Sequence, residues 1–336
     1  MKRINILGID LAKKNYQIFG VDNKQDEVIN KRLSRAKLIE FVTKLAPCIV
    51  AMEACAGAHY LGRLFRDLGH EVKLLPPQYV KPFVYTNKDD EADAQAIVEA
   101  STKKKIHKVP VKEPDQQDIQ FVHRLRERFV KNKTAVSNEI RSMLFEYGII
   151  IPRGDHILIH QRNELLDNNR LSPMAKESLI TLFKEFHAAL NGKLEQEKRL
   201  RDIARKDSRC RTLLHMPGVG VITATALIAS ITDPKVFKNG RAMSAWLGLV
   251  PKHTGTGGKN KNLNMSKRGD QYLRYLLIHG ARSVLRTSKE KKDRLSIWCN
   301  ELIERRGYNK ACVALANKNA RIIWAMLSTG QPYRAC

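Results

Sequence analysis

An α/β domain followed by mainly helical regions is the fold predicted by the order of residues along the chain. Three observations carry the prediction. An almost unbroken apolar run, Ile4-Asn5-Ile6-Leu7-Gly8-Ile9, opens the chain and stops at Asp10. Strand-like and helix-like pieces then alternate as far as about residue 110. From Asp115 the apolar residues recur instead at spacings of three, four or seven, the period of a long helix.

Each element has its own justification. Ile4 to Ile9 reads as a central strand buried on both faces. Tyr16 to Val21 and Glu27 to Leu33 follow as two further strands of a meander. Ser34 stands where it can cap a helix whose apolar side is Leu38, Ile39, Phe41, Val42 and Leu45, and Pro47 ends it. Cys48 to Met52 returns as a strand, Ala58 to Leu68 as a helix and Glu71 to Leu75 as a strand. Three strands and then alternating helices and strands is the order of a ribonuclease-H-like α/β domain, placed at residues 1–112.

Residues 113–207 form the second region. Val122, Leu125, Phe129, Val136, Ile140, Met143 and Tyr147 define an amphipathic helix with Arg124, Arg126, Arg128, Lys131 and Lys133 on its polar side. Ile149 to Gly154 breaks it, and helix resumes from Ser172 to Lys206. The region reads as a helical hairpin or coiled-coil arm. It is either a spacer or a dimerisation arm with a basic nucleic-acid groove, to which Arg124 and Arg128 contribute. Residues 208–336 are helical and basic. There, Met216-Pro217-Gly218-Val219-Gly220 separates two apolar helical stretches. Gly218 and Gly220 would let backbone N–H groups approach a phosphate, as in a helix-hairpin-helix, although a plain structural turn uses the same residues.

Charge narrows the partners. Sixty Lys and Arg against thirty-four Asp and Glu give a formal charge of +26 over 336 residues. Such self-repulsion favours a polyanionic partner, nucleic acid before an anionic membrane, because the basic residues are spread along the whole chain. The longest nearly apolar run, Val219 to Ile231, is too short to span a bilayer, and Asp10 interrupts the first one before it resembles a signal peptide. The six cysteines include no CxxC pair, which fits a reducing cytoplasm; the nucleoid-associated location expected within it goes with the family resemblance given below. Cys55 and His59, four apart on a helix, lack a second pair for zinc and are read as packing residues.

Four acids occupy telling places. Asp10 ends the first strand and Glu53 follows the strand Cys48 to Met52, so both face the crevice at the carboxyl ends of neighbouring strands. Asp90 and Asp93, three apart where a helix begins, can point to one side. Carboxylates ~4 Å apart repel by roughly 4 kcal/mol per pair at an effective dielectric near 20, a cost that Mg²⁺ or Mn²⁺ removes. Taken singly, each acid also fits a turn or helix-dipole role. Ser266 lies in Met265-Ser266-Lys267-Arg268-Gly269-Asp270, after a Gly- and Lys-rich loop, Lys252 to Asn264, that includes Lys259 and Lys261. Its hydroxyl is either an N-cap or a nucleophile with Lys267, Arg268 and Arg274 as phosphate partners.

Several motifs together resemble the insertion-sequence one-ten family of transposases. They are Gly8-Ile9-Asp10, Met52-Glu53-Ala54-Cys55, Pro76-Pro77-Gln78-Tyr79-Val80-Lys81, Asn87 to Ala94 and Ser266-Lys267-Arg268-Gly269-Asp270. The Glu-Ala-Cys and Pro-Pro-Gln-Tyr-Val-Lys pieces, Trp246 to Pro251 and the ending Ala314 to Lys318 look like the eleven-eleven subgroup. Many relatives have Thr where this chain has Cys55, and Asn where it has Asp89.

The resemblance implies a RuvC-like domain whose DEDD metal site is Asp10, Glu53, Asp90 and Asp93, a coiled-coil arm, and a C-terminal domain with Ser266 as the catalytic serine. It also implies a recombinase acting on donor and target DNA, guided by a structured RNA from the element's own non-coding end. Composite sites in a dimer or tetramer follow from the same resemblance. The alternative is a RuvC-like metal-dependent junction nuclease with no serine intermediate.

Overall fold

The computed structural model describes residues 3–11, 15–84, 90–256 and 259–334, with backbone alone at 256 and 259–262. The chain forms two compact units, Met1–Asp115 and Gln116–Cys336.

The first unit is a mixed α/β domain on a five-stranded sheet. Its strands are β1 (Ile6–Leu11), β2 (Asn15–Val21), β3 (Glu27–Ser34), β4 (Ile49–Glu53) and β5 (Glu71–Leu75), in the order β3-β2-β1-β4-β5. The first three are joined antiparallel, whereas β4 and β5 run parallel to β1, with Gly8 beside Ala51 and Met52 beside Leu74. The helices are α1 (Arg35–Thr43), α2 (Ala58–Asp67), α3 (Pro77–Val80) and α4 (Asp90–Thr102).

Alternation along each strand divides the core between two faces. Leu7, Ile9, Ile18, Val50 and Met52 pack with Leu38 and Val42 of α1 and Leu61 and Phe65 of α2. On the opposite face Ile6, Phe19 and Val21 meet Ala94 and Val98 of α4, while Ala51 and Leu75 meet Ala96, Ile97 and Ala100. A Cβ on Gly8 would lie 2.6 Å from both the Ala94 carbonyl oxygen and Val98 Cγ2, so glycine here is what lets α4 rest on β1. Ser34 precedes α1 as expected, but its side chain makes no capping bond. Cys55 lies in the turn before α2 rather than on the helix, and His59 Nδ1 accepts from the Lys112 N–H at 3.2 Å.

Among the described residues the second unit is helical, apart from one antiparallel pair of strands. Helices α5 (Pro114–Glu146) and α7 (Pro173–Lys206) run antiparallel, joined through α6 (Asp155–Leu166). Arg126 on α5 pairs with Glu197 on α7 at 2.9 Å, and Gly192 gives room to the Phe129 ring, which a Cβ would approach to 2.5 Å. Ile140, Leu144, Leu158, Leu179 and Phe183 make a separate core toward the far end. The buried stripe of α5 runs through Gln116, Ile119 and His123 before reaching Val136, Ile140 and Leu144, and Leu125 is exposed. The expected stripe is therefore corrected in its first half.

The remaining elements are α8 (Ser208–Leu214), α9 (Val221–Ser230), α10 (Gly240–Trp246), β6 (Pro251–Thr256), β7 (Lys259–Met265), α11 (Gln271–Arg286), α12 (Arg294–Arg306) and α13 (Tyr308–Thr329). Their helices share one core with Leu227, Met243, Leu273, Leu277, Leu315 and Ile323 at its centre. The described residues of the segment expected to be a loop, Lys252 to Asn264, instead form parts of the antiparallel strands β6 and β7. Among the described residues no helix is long and apolar enough to cross a membrane.

Candidate functional site

Asp10 and Glu53 stand on adjacent parallel strands, one step beyond the paired Ile9 and Met52. Alternation places both on the α4 face, in line with Gly8 and Ala51. Both carboxylates are within electrostatic reach of one thiol: burial pushes the Cys55 pKa up, and the charges of Glu53 and then Asp10 push it further. Asp93 lies one turn before Ile97, on the stripe of α4 that covers Ala51 and Leu75. It is thereby on the side of the helix that faces the Glu53 strand.

Asp90 is placed differently. Its Oδ2 accepts from the Arg32 guanidinium of β3 at 2.5 Å, and the neighbouring Glu91 is bonded by Asn30. Arg32 is opposite Gln17, and Gln17 is opposite Asp10, so this contact sits level with Asp10 across two strands. Among the described residues no three His, Cys, Asp or Glu side chains are close enough together to enclose an ion. The donor set suits a hard divalent cation in kind, since every member is a carboxylate. Asp89, which precedes the third acid, lies outside the described residues.

Ser266 closes β7 and opens the loop to α11. Its N–H donates to the Val250 carbonyl at 2.8 Å, while its Oγ is shielded and has no hydrogen-bond partner among the described residues. The loop is held by unusually close backbone contact. Gly269 (φ 85°) comes so near Trp246 that a Cβ would lie 1.8 Å from the Trp246 carbonyl oxygen, and one on Gly248 (φ 70°) would lie 2.0 Å from that of Arg268. Lys267 adopts φ 54°, a left-handed conformation that favours glycine. Asp270, not Ser266, caps α11, accepting from the Leu273 N–H at 3.0 Å. This removes the N-cap explanation for Ser266.

The basic residues divide. Lys267 and Arg268 are exposed beside Ser266. Arg274, expected to meet phosphate, is only 8% exposed and donates to the Leu247 and Arg268 carbonyls at 3.1 Å each. In this structure it is a clamp joining the Trp246–Gly248 segment to the Ser266 loop. Arg124 and Arg128 are exposed on α5. Lys259 and Lys261 lie on β7, and their side chains fall outside the described residues. Gly218 (φ 82°) packs on Gly280 of α11, whose carbonyl oxygen a Cβ would approach to 2.8 Å, so its smallness is accounted for by helix packing. Gly220 has open space around it at the start of α9.

Sequence reasoning missed Arg32, Gly8 and the Gly248–Gly269 interlock. Arg32 carries no motif and becomes visible only when β3 meets α4. The tight glycines were within reach, because both sit in the motifs that flank Ser266.

Residues 7–149 match a family model described as a transposase, of the DEDD type, and residues 210–296 match one described as transposase IS116/IS110/IS902 family. The class is thus a transposase, an enzyme type that cleaves and rejoins DNA, and the DEDD domain points to a divalent-metal requirement. Relatives of almost equal length narrow it. A probable family 20 transposase of Pseudomonas aeruginosa is 43% identical over 98% of each chain. The transposase for insertion sequence element IS1111A of Coxiella burnetii is 42% identical over 99% of this chain and 92% of its own. That for IS1328 of Yersinia enterocolitica is 37% identical over 98% of both. The chain belongs to the IS110/IS116/IS902 family of transposases.

Proposed function

We propose that this transposase cuts and rejoins DNA with Ser266 as the nucleophile, and that Asp10, Glu53, Asp90 and Asp93 hold the divalent cation that assists it. The observation that carries the reading is the Ser266 hydroxyl. A shielded hydroxyl without a partner costs about 1–3 kcal/mol, and here the loop that bears it is fixed by two backbone interlocks. Thr232, Ser244 and Ser328 also hold shielded hydroxyls without a partner among the described residues, and Ser266 is set apart from them by the exposed Lys267 and Arg268 beside it and by the interlocks that fix its loop. The Oγ must be uncovered to attack, and the left-handed Lys267 gives the loop strain to release on moving.

In the proposed step the Ser266 Oγ attacks a DNA phosphorus atom. The bond from phosphorus to the 3′ oxygen breaks, a phosphoserine bond forms, and the serine proton ends on the released 3′ hydroxyl. Lys267 and Arg268 neutralise charge that builds on the phosphate oxygens. Attack by a new 3′ hydroxyl reverses the step, conserving the bond energy without a nucleotide cofactor. Asp10, Glu53, Asp90 and Asp93 would hold the divalent cation, Mg²⁺ or Mn²⁺, which would supply Lewis-acid charge neutralisation at the phosphate, and Asp90 would have to leave Arg32 to take part.

The protein further works with a structured RNA from its own element and as a dimer or tetramer, residing in the bacterial cytoplasm at the nucleoid. The family resemblance and the +26 charge support this part of the reading. Recognition through RNA pairing leaves the protein to read backbone and shape, and sequencing RNA that co-purifies with the full chain tests it.

Strand cleavage by Ser266→Ala and by Asp10→Asn tests the chemistry. Both variants are expected to lose cleavage. Cleavage that survives Ser266→Ala but not Asp10→Asn would make the enzyme a metal nuclease using water.

A further inference from the structure

Within the second unit, α5, α9 and α11 enclose a cleft of about 680 Å³, bordered by Asp270 and Gln271, four and five residues after Ser266. That is the size of a small-ligand site, and its walls are chemically divided. Arg124, Arg128 and Lys131 line it from α5, and Tyr272 and Tyr275 from α11.

The two acids at the cleft are already engaged. Asp270 caps α11 at 3.0 Å, and Glu127 pairs with Arg126 at 2.7 Å. The three cations have no acidic partner among the described residues. Tyr275 is 50% exposed, and His279 lies against its ring with centroids 4.3 Å apart, which orders the ring while leaving surface free. Beneath, the His123 imidazole bridges the Tyr272 hydroxyl and Thr225 Oγ1 at 3.0 Å each, tying the three helices together.

We propose that this cleft receives one unstacked nucleotide of the DNA strand presented to Ser266, its base on Tyr275 and its flanking phosphates on Arg124, Arg128 and Lys131. Three cations without an acidic partner among the described residues, Arg124 also resting over the Phe121 ring, fit a phosphate backbone, and a half-exposed, braced aromatic on the other wall fits a base face. A simple anion leaves Tyr275 unexplained. A base within a duplex cannot use it, because both faces are already stacked, so the nucleotide has to leave the stack. The identification of the strand as DNA rests on the Ser266 reading; the cleft's preference for an unpaired nucleotide does not.

The test uses full-length protein carrying Ser266→Ala, so that binding is read without turnover. The probes are a fully paired DNA duplex and the same duplex with one unpaired 2-aminopurine, followed by anisotropy and by 2-aminopurine fluorescence. Tyr275→Ala is expected to weaken binding of the probe with the unpaired base about tenfold, within the range for loss of one base–aromatic stack, and to relieve its quenching. The paired duplex is expected to bind as before, and Tyr275→Phe to restore both signals. Arg128→Ala is expected to weaken both probes and lower the salt slope by about one. An unchanged melting temperature shows that the variants fold. Equal loss on both probes, no loss on either, or preference for an RNA of the same sequence over DNA would overturn the proposal. With divalent metal left out, the comparison of paired and unpaired probes does not depend on whether Ser266 is the nucleophile, which the cleavage comparison decides separately.

Discussion

Ser266→Ala is expected to make the protein more stable while abolishing strand cleavage. In the folded chain the Ser266 Oγ is shielded from water with no hydrogen-bond partner among the described residues, so folding removes its hydration without replacement from them. That loss is about 1–3 kcal/mol for a neutral polar group. A methyl group of nearly the same size has none to lose, and a gain of about 1 kcal/mol is a moderate expectation. For a folding unit the size of Gln116–Cys336, it raises the melting temperature by roughly 2–4 °C. Ser288 is the internal control. It is fully buried, and its single hydroxyl proton is shared between two acceptors, the Leu285 carbonyl at 2.9 Å and Asn300 Oδ1 at 2.7 Å. Ser288→Ala leaves those acceptors unpaired and is expected to lower stability by about 1–2 kcal/mol. Thermal unfolding by circular dichroism reads both signs. If Ser266→Ala destabilised as Ser288→Ala does, the Ser266 hydroxyl would be an ordinary structural group and the argument from its isolation would fail.

Three further expectations concern the surroundings. Gly269→Ala combines a left-handed backbone with a Cβ 1.8 Å from the Trp246 carbonyl oxygen, which cannot rotate aside; it should cost about 3 kcal/mol or more, read by denaturant unfolding, and a near-neutral result would show that the interlock is loose. Arg32→Ala removes a half-exposed ion pair, so stability should move by less than about 1 kcal/mol, whereas the Mg²⁺ concentration needed for cleavage should fall severalfold as Asp90 is freed; an unchanged Mg²⁺ dependence would separate Asp90 from the cation. His123 is held neutral, its pKa drawn down to about 4 first by burial and then by Arg126. Between about 4 and 6.5 the unfolded chain binds the extra proton, so stability from this group is full above 6.5 and declines as pH falls toward 4, by at most about 3 kcal/mol. His123→Gln should flatten that dependence in unfolding measured across the window.

The sheet was legible because a period of two and a central apolar strand leave few alternatives, and β1 to β5 lie within two residues of where the sequence puts them. Helix α7 begins where Ser172 caps it, bonding the Ala175 N–H at 3.2 Å. The β6–β7 strand pair was hidden for the opposite reason: Lys259 to Met265 is mostly Lys and Asn, with no alternation between apolar and polar residues to announce a strand. His123 entered the buried stripe of α5 because Tyr272 and Thr225 satisfy its ring, a contact no local pattern contains. Arg274 had a readable cue, lying beside Leu273 and Leu277 on the apolar side of α11, but its cationic head suggested a phosphate rather than two carbonyls. Of the four acids, strand-end positions foretold that Asp10 and Glu53 would be neighbours. The Arg32 contact of Asp90 needed the packing of α4 against the sheet.

The most direct measurement is peptide mapping of the covalent complex. Full-length protein is incubated with cleavable DNA and Mg²⁺, quenched in denaturant, digested with nuclease and protease, and analysed by mass spectrometry. A nucleotide phosphate attached to the peptide containing Ser266, and absent from the Ser266→Ala protein, is the predicted result. Cleaved DNA with no adduct on the protein, or an adduct on another residue, would contradict it.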